Sequence, residues 1–406
     1  MTSRTKSPLM NRRNLLKLGA ALSVGAAVGR VPKALAASAP QATASQKGPG
    51  DAYFRDQAKG IRCYVESEWA PLKACMVGHP HSLYISDPNT PESQNMLAGN
   101  ASPELLQFLN TYKGQNLKDA DPALYEVFAH ESDMLAKNLR DAGVHVIRNE
   151  SGQVADELIN YSTGWGRQKY CSLFMQAAFE VVGHCLVSTW EASPSRPLEL
   201  EYRAAVNEIM QNDPEAVWLT MPAPYPSRDV PTPAPFLSAG DFRIMGDKTL
   251  VLGYGVSDPS HIKDRTKGRS SGDEFGGEIL RRMLAAYGWT VEEVYFNRNL
   301  SYHIDCVMMV VDEGLIGLPE NGLFTPLSDK FRDWQVFTIP QEELKAGIGN
   351  SIPLGNKRIL VPEGGPKTVK ELERRGYTVI ETPYQTIYGA FASGIHCSTA
   401  PLWREA

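Results

Sequence analysis

Cys397 stands in the run Ser393-Gly394-Ile395-His396-Cys397-Ser398-Thr399, with Pro401 just beyond. A cysteine that packs in a core has apolar neighbours, whereas this loop is polar and carries a glycine, so its thiol reads as a nucleophile. A thiol nucleophile needs a base and an orienting acid, which the fold rather than the sequence brings close. His303-Ile304-Asp305 offers one of each on the same side of an extended segment, and Gly240-Asp241 offers a second acid. Taken singly, His303 is an ordinary strand-edge histidine and Asp241 an ordinary turn residue. Cys306, followed by Val307-Met308-Met309, reads as a core thiol.

Composition narrows the partners. At 42% hydrophobic and 21% charged, the 406 residues suit one large domain or two smaller ones. A net charge of -5 and a pI near 6.0, with no basic stripe interleaved with aromatics, exclude a nucleic-acid footprint and favour a small-molecule partner. The six cysteines contain no Cys-x-x-Cys pair and the eight histidines no His-x-x-x-His spacing. Neither a metal site nor a structural disulfide is therefore expected.

The first residues read as an address. Asn11-Arg12-Arg13-Asn14-Leu15-Leu16-Lys17 is a twin-arginine pattern, Leu18 to Gly29 is apolar but too short to span a bilayer, and Ala34-Leu35-Ala36 is a small-x-small cleavage site. Residues 1–36 are expected to be a signal peptide taken by the twin-arginine (Tat) translocase, which delivers a folded periplasmic protein without a stable membrane anchor. Residues 37–58, rich in Ala, Ser, Gln and Gly, read as a flexible leader, and 59–406 as a single domain.

The elements that must position the chemistry recur as a module. Two apolar strands around a turn containing Gly or Asp appear in Phe179–Val187, Phe242–Leu252, Val307–Leu318 and Ile352–Val361. Helical segments end at Gly143, Gly288 and Gly376 and run straight into short strands, the glycine fitting the left-handed position after a helix. Ala216–Thr220 and Trp334–Ile339 read as the same strand without the glycine. With the opening strand Leu72–Val77 this makes about five modules, which argues for an α/β ring. A doubly wound parallel sheet would not explain the returning hairpins. Asp241, His303 with Asp305, and Asn350-Ser351 each precede a hairpin, and Cys397 falls in the last module. Modules entering a ring in one orientation would gather these residues at one end of its channel.

Glu68-Trp69-x-Pro71-Leu72 with Val77-Gly78, then Ala239-Gly240-Asp241-Phe242, His303-Ile304-Asp305 and Gly394-Ile395-His396-Cys397, in that order, resemble the amidinotransferase branch of the guanidino-modifying enzymes. Glycine amidinotransferase is the nearest relative by these motifs, and Glu201-Tyr202-Arg203 resembles the same pattern. The resemblance runs from about Trp69 onward through the rest of the chain. It implies the pentein fold, a five-bladed αβ propeller of ββαβ modules with pseudo-fivefold symmetry. It also implies roles. Cys397 attacks a guanidinium carbon as a thiolate, His303 protonates the departing amine and then activates the incoming nucleophile, and Asp241 orients His303 and favours its charged form. Asp305 faces the substrate's N–H groups, which a carboxylate accepts in pairs, and Ser351 lies among the substrate-facing residues. No cofactor is implied, because the substrate is itself the electrophile.

Two departures from the family touch the substrate. Where the family carries an Arg-Asp pair before the strand at Phe179, this chain has Met175-Gln176-Ala177-Ala178, so Gln176 offers a neutral amide near where an acid would grip the guanidinium. The family's arginine after the next hairpin is missing from Leu318-Pro319-Glu320-Asn321-Gly322, and Arg265 or Arg332 would have to supply that cation from another loop. The leading expectation is an amidinotransferase that moves an amidino group from an arginine-like donor to an amine through a covalent Cys397 intermediate. A deiminase-type hydrolase of guanidino or ureido compounds uses the same groups with water as acceptor. A non-catalytic periplasmic binding protein is the reading from another class, and a homo-oligomer is compatible with each.

Overall fold

The computed structural model describes residues 49–90, 93–94, 97, 102–150, 171–177, 179–190, 201–222, 235–264 and 266–406. The expected signal peptide, the leader up to residue 48 and Arg265 lie outside them. The described strands fall into five separate sheets. β1 (Tyr64–Val65), β2 (Leu72–Val77) and β3 (His145–Ile147) belong to the first, and β4 (Phe179–Val182), β5 (Cys185–Ser188) and β6 (Val217–Thr220) make the second. β7 (Phe242–Ile244), β8 (Thr249–Val256) and β9 (Thr290–Asn297) make the third, and β10 (Met309–Asp312), β11 (Leu315–Pro319) and β12 (Gln335–Ile339) the fourth. β13 (Ile352–Gly355), β14 (Arg358–Pro362) and β15 (Thr378–Thr382) make the fifth. β16 (Thr399–Arg404) then returns to the first sheet, whose order is β1-β16-β2-β3.

The three-stranded sheets repeat one topology. The first two strands form an antiparallel hairpin and the third adds in parallel to the second. Parallel addition needs a crossover, which helices Arg203–Asn212, Glu274–Ala285 and Pro366–Arg374 supply in three sheets and a 3-10 turn at Asp329–Phe331 in the other. The first sheet has the same form, except that the antiparallel partner of β2 is β16, from the far end of the described chain.

Local sequence rules account for these elements. Asp247-Lys248 and Asn356-Lys357 both take positive φ at two successive residues, as a two-residue primed turn demands. Gly143, Gly288 and Gly376 follow their helices with φ of 89°, 80° and 87°. β4, β5, β7 and β13 are buried throughout and read as nearly continuous apolar runs, while the third strands β6, β9, β12 and β15 are partly exposed.

Apolar packing joins neighbouring sheets. One cluster links the first three (Met76, Val181, Leu250), one the third and fourth (Val251, Phe296, Val310), one the fourth and fifth (Val311, Ile359, Val361), and one the fifth and first (Leu354, Leu360, Val77). The order of packing thus returns to its start, although no sheet closes on itself among the described residues.

Two expectations need correction. Residues 49–58 are not a flexible leader: Pro49–Ala58 is a helix whose Phe54 and Ala58, four residues apart on one face, are buried, with the Phe54 ring 5.1 Å from that of Tyr202. Cys397 lies just before β16 and so leads into the first sheet rather than the last, because β16 finds its antiparallel partner in β2 rather than beside β15.

Candidate active site

Polar segments precede the deeply buried strands of all five sheets: Gln176 before β4, Asp241 before β7, His303 to Cys306 before β10, Asn350 before β13 and Cys397 before β16. They are hydrogen-bonded in a closed round. Gln176 Nε2 donates to Ala239 O at 3.4 Å, Ile304 N to Asp241 Oδ1 at 3.1 Å and Asn350 Nδ2 to Cys306 Sγ at 3.2 Å. His396 N then donates to Asn350 Oδ1 at 2.8 Å, and Gln176 N to Cys397 O at 3.1 Å.

Cys397 is 4% exposed. Its Sγ lies 3.2 Å from Asp305 Oδ2, 3.3 Å from Asn350 Nδ2 and 3.9 Å from Cys306 Sγ. Burial raises its pKa and the Asp305 charge adds to that, but the hydrogen bonds from Cys306 and His303 and the His303 charge bring it down to about 7. For His303, burial works against the charged form. Its hydrogen bond to Cys397 and the carboxylates of Asp241 and Asp305 nevertheless hold it up to about 10. Thiolate and imidazolium can therefore coexist near neutrality, the pairing that makes a cysteine nucleophilic.

The His303 ring lies directly on the backbone of Gly240, where a Cβ would come within 2.6 Å of His303 Cγ and Nδ1. Gly240→Ala is expected to displace the ring and destabilise the protein by about 1–3 kcal/mol, measured as a lower midpoint of thermal unfolding. An unchanged midpoint would show that the ring has room to give. Asp241 is wholly buried, with Oδ1 accepting from Ile304 N and Oδ2 from the Ser271 hydroxyl. Burial pushes its carboxyl up to about 7 against the pull of His303. Its bond to Ile304 fixes the turn on which His303 and Asp305 ride.

Asp305 is 1% exposed, and its Oδ2 also meets His396 Nδ1 at 3.3 Å. Burial disfavours its charge, but the hydrogen bond and charge of His396, followed by the charges of His303 and Arg243, hold the carboxyl well below the usual range. Its Oδ1 is buried and has no hydrogen-bond partner among the described residues. An ionised oxygen in that state is costly unless a donor reaches it.

Behind Asp305 lies a charge cluster to which the sequence reading gave no role. His396 Nε2 meets Glu68 Oε2 at 3.3 Å and the Arg243 guanidinium at 3.1–3.2 Å, while its Nδ1 is 3.0 Å from Gln176 Oε1. Burial and Arg243 lower its pKa, yet the bonds to Asp305 and Glu68 raise it to about 9. Gln176 Nε2 donates to Glu180 Oε2 at 3.1 Å, and burial together with the Glu68 charge pushes Glu180 up to about 7. The available signal was a charged residue inside an apolar strand, Arg243 after Phe242 and Glu180 after Phe179. Such residues must be paired.

Of the expected substrate contacts, Asp305 joins Cys397 and His303. Gln176 is buried with both ends of its amide engaged, oriented toward His396 and Glu180. Ser351 donates its hydroxyl to Ile348 O at 2.7 Å. Arg332, one of the two arginines weighed as a replacement cation, is exposed and bonded to Asp329 O.

No protein-family model matches the chain, and neither does any curated protein sequence. Solved structures do. An amidinotransferase of the saxitoxin biosynthetic pathway from Microseira wollei superimposes with a TM-score of 0.64 and 19% identity, covering 85% of this chain and 98% of that one. The inosamine-phosphate amidinotransferase of Streptomyces griseus gives 0.63 and 20% over 85% and 98%. The N-terminal domain of an arginine dihydrolase from Cyanobacteria gives 0.54 and 13% over 82% and 98%. At these identities the likeness speaks for the fold alone: the mixed α/β fold of this chain is shared with these amidinotransferase and dihydrolase structures.

Proposed function

We propose that the protein is an amidinotransferase-type enzyme acting on an arginine-like guanidino donor and an amine acceptor. The observation that carries this reading is the meeting, at one buried point, of the Cys397 sulfur, a His303 ring nitrogen and an Asp305 carboxylate oxygen, all within 4.8 Å of one another, with Asp305 Oδ1 lacking a hydrogen-bond partner among the described residues. Asp305 Oδ1 would accept a guanidinium N–H, whose positive charge further favours the Cys397 thiolate. The sulfur adds to the guanidinium carbon, and as the C–N bond breaks the departing amine takes a proton from His303. The amidino group is then held on Cys397 through a C–S bond. An incoming amine gives its proton to His303 as it attacks, and the thiolate leaves.

Water in place of the amine would make the same groups a hydrolase. The deep burial of Cys397, His303 and Asp305 supports the transferase, because transfer requires an intermediate shielded from water. We read the five sheets, their cyclic packing and the round of polar entries as a five-bladed ring with this site at its centre. The twin-arginine run at Asn11–Lys17 supports export to the periplasm.

Mass spectrometry of the intact protein with arginine is the test. A mass increase carried by the Cys397 peptide, absent in Cys397→Ala, is expected, and adding amine acceptors should discharge it into a guanidino product. Absence of both adduct and turnover with arginine, citrulline and related guanidino compounds would sink the reading. Discharge by water alone would replace transferase with hydrolase.

A further inference from the structure

Asn350 lies between two thiols. Its side chain is fully buried, and its Oδ1 accepts both backbone N–H groups of the nucleophile loop, from His396 at 2.8 Å and Cys397 at 3.1 Å. Those donors decide which way the amide points. Turned over, its NH2 would face two N–H groups and its oxygen two sulfurs. Nδ2 is left 3.3 Å from Cys397 Sγ and 3.2 Å from Cys306 Sγ. The sulfurs are 3.9 Å apart, within reach of an S–H···S hydrogen bond. Glycines permit the close approach: a Cβ at Gly394 would sit 2.5 Å from Asn350 Oδ1, and one at Gly349 only 2.3 Å from the Cys306 carbonyl oxygen.

We propose that Cys306 and Asn350 are catalytic residues that carry the negative charge of the nucleophile, an N–H of Asn350 and the S–H of Cys306 both pointing at the Cys397 sulfur when it is ionised. The proposal rests on the reading of Cys397 as nucleophile. A buried thiolate loses its hydration, and hydrogen bonds to a charged acceptor are about twice as strong as neutral ones. The charged groups facing the sulfur oppose each other, the His303 imidazolium favouring ionisation and the Asp305 carboxylate resisting it. The phenols of Tyr384 and Tyr388, at the helix Gln385–Phe391, also feel the sulfur and are held neutral by burial. With the charges opposed, the two neutral donors set the balance. Cys306 stays a donor because its hydrogen bond to Cys397, with burial, keeps its own pKa well above the ordinary value. The same donors serve when the thiolate departs in the second half of the reaction. The sequence assigned Cys306 to the core; its neighbours do lie in a core cluster, but its thiol turns toward Cys397.

The test is the pH dependence of alkylation by iodoacetamide on the full chain, followed on the Cys397 peptide by mass spectrometry, which reads the thiolate without any substrate. The wild-type rate should be half-maximal at about pH 7. Cys306→Ala should move that midpoint up by about one pH unit, slowing alkylation about fivefold at neutrality. Cys306→Ser restores a donor and should recover most of the shift. Asn350→Asp keeps the acceptor for the two backbone N–H groups but aims a carboxylate at the sulfurs, so it should shift the midpoint further than Cys306→Ala. It also gives an independent answer if the alanine variant does not fold. Wild-type titration in Cys306→Ala and Asn350→Asp overturns the proposal, as does a serine variant shifted as far as the alanine one. Shifted titrations without a guanidino adduct on Cys397 would remove the proposed reaction and keep the two donors. An adduct with unmoved titrations would do the reverse.

Discussion

Replacing Asp305 with asparagine should lower kcat/KM for a guanidino donor by about a thousandfold while making Cys397 easier to ionise. The loss follows from the charge: truncating one side of a buried, hydrogen-bonded charge pair costs about 2–5 kcal/mol, and each 1.4 kcal/mol is about tenfold. The gain follows from the same charge, since the Asp305 carboxylate 3.2 Å from Sγ resists the thiolate. Asparagine keeps an acceptor for His396 Nδ1, so the surrounding structure has a substitute for that bond. Steady-state kinetics with arginine and the alkylation profile of Cys397 should therefore move in opposite directions. A parallel fall in both would point to a collapsed site and refute the assigned role.

The second large effect concerns stability. Glu68→Gln should destabilise the fold by about 3 kcal/mol or more, because breaking a buried ion pair strands its partners. Glu68 is buried and bonds both Arg243, at 3.5 Å, and His396, with Arg404 adding its charge. Burial opposes its ionisation, but these cations lower its pKa from 4.5 to about 2. A depressed carboxyl stabilises the fold above its unfolded value and loses that stabilisation as pH falls through the folded one. The difference in unfolding free energy between wild type and Glu68→Gln should be full at about pH 6 and shrink as pH falls from about 4.5 toward 2. Chemical denaturation across that range checks it, and a difference independent of pH would refute the ion-pair account.

The hairpins at Phe179, Phe242, Val307 and Ile352 and the glycine stops were legible because turn and cap chemistry act over a few residues. Cys397, His303, Asp241 and Asp305 were legible because chemistry-bearing types followed one another before such strands. The pairing of β16 with β2 was not. It is non-local, and Pro401 inside the run argues against a strand; the structure tolerates it at an irregular register between Pro401 and Trp403. The Glu68, Arg243 and His396 cluster was hidden for a related reason. Each charge looks misplaced alone, and only the fold shows that they meet. The helix at Pro49–Ala58 was concealed by a composition rich in Gly, Ser and Ala just before it.

The return of β16 also bears on the order of assembly. Four sheets can form from neighbouring stretches of chain, but the first must hold β2 and β16 together across nearly the whole described sequence. Such distant pairing pays its loop-closure entropy first and comes late in folding. Cys397, at the threshold of β16, acquires Asp305, His303 and Asn350 as neighbours only when that last ribbon is laid down. An incomplete or frayed chain therefore lacks the neighbours that pull the Cys397 pKa down, and its thiol stays near its ordinary value until β2 and β16 have met.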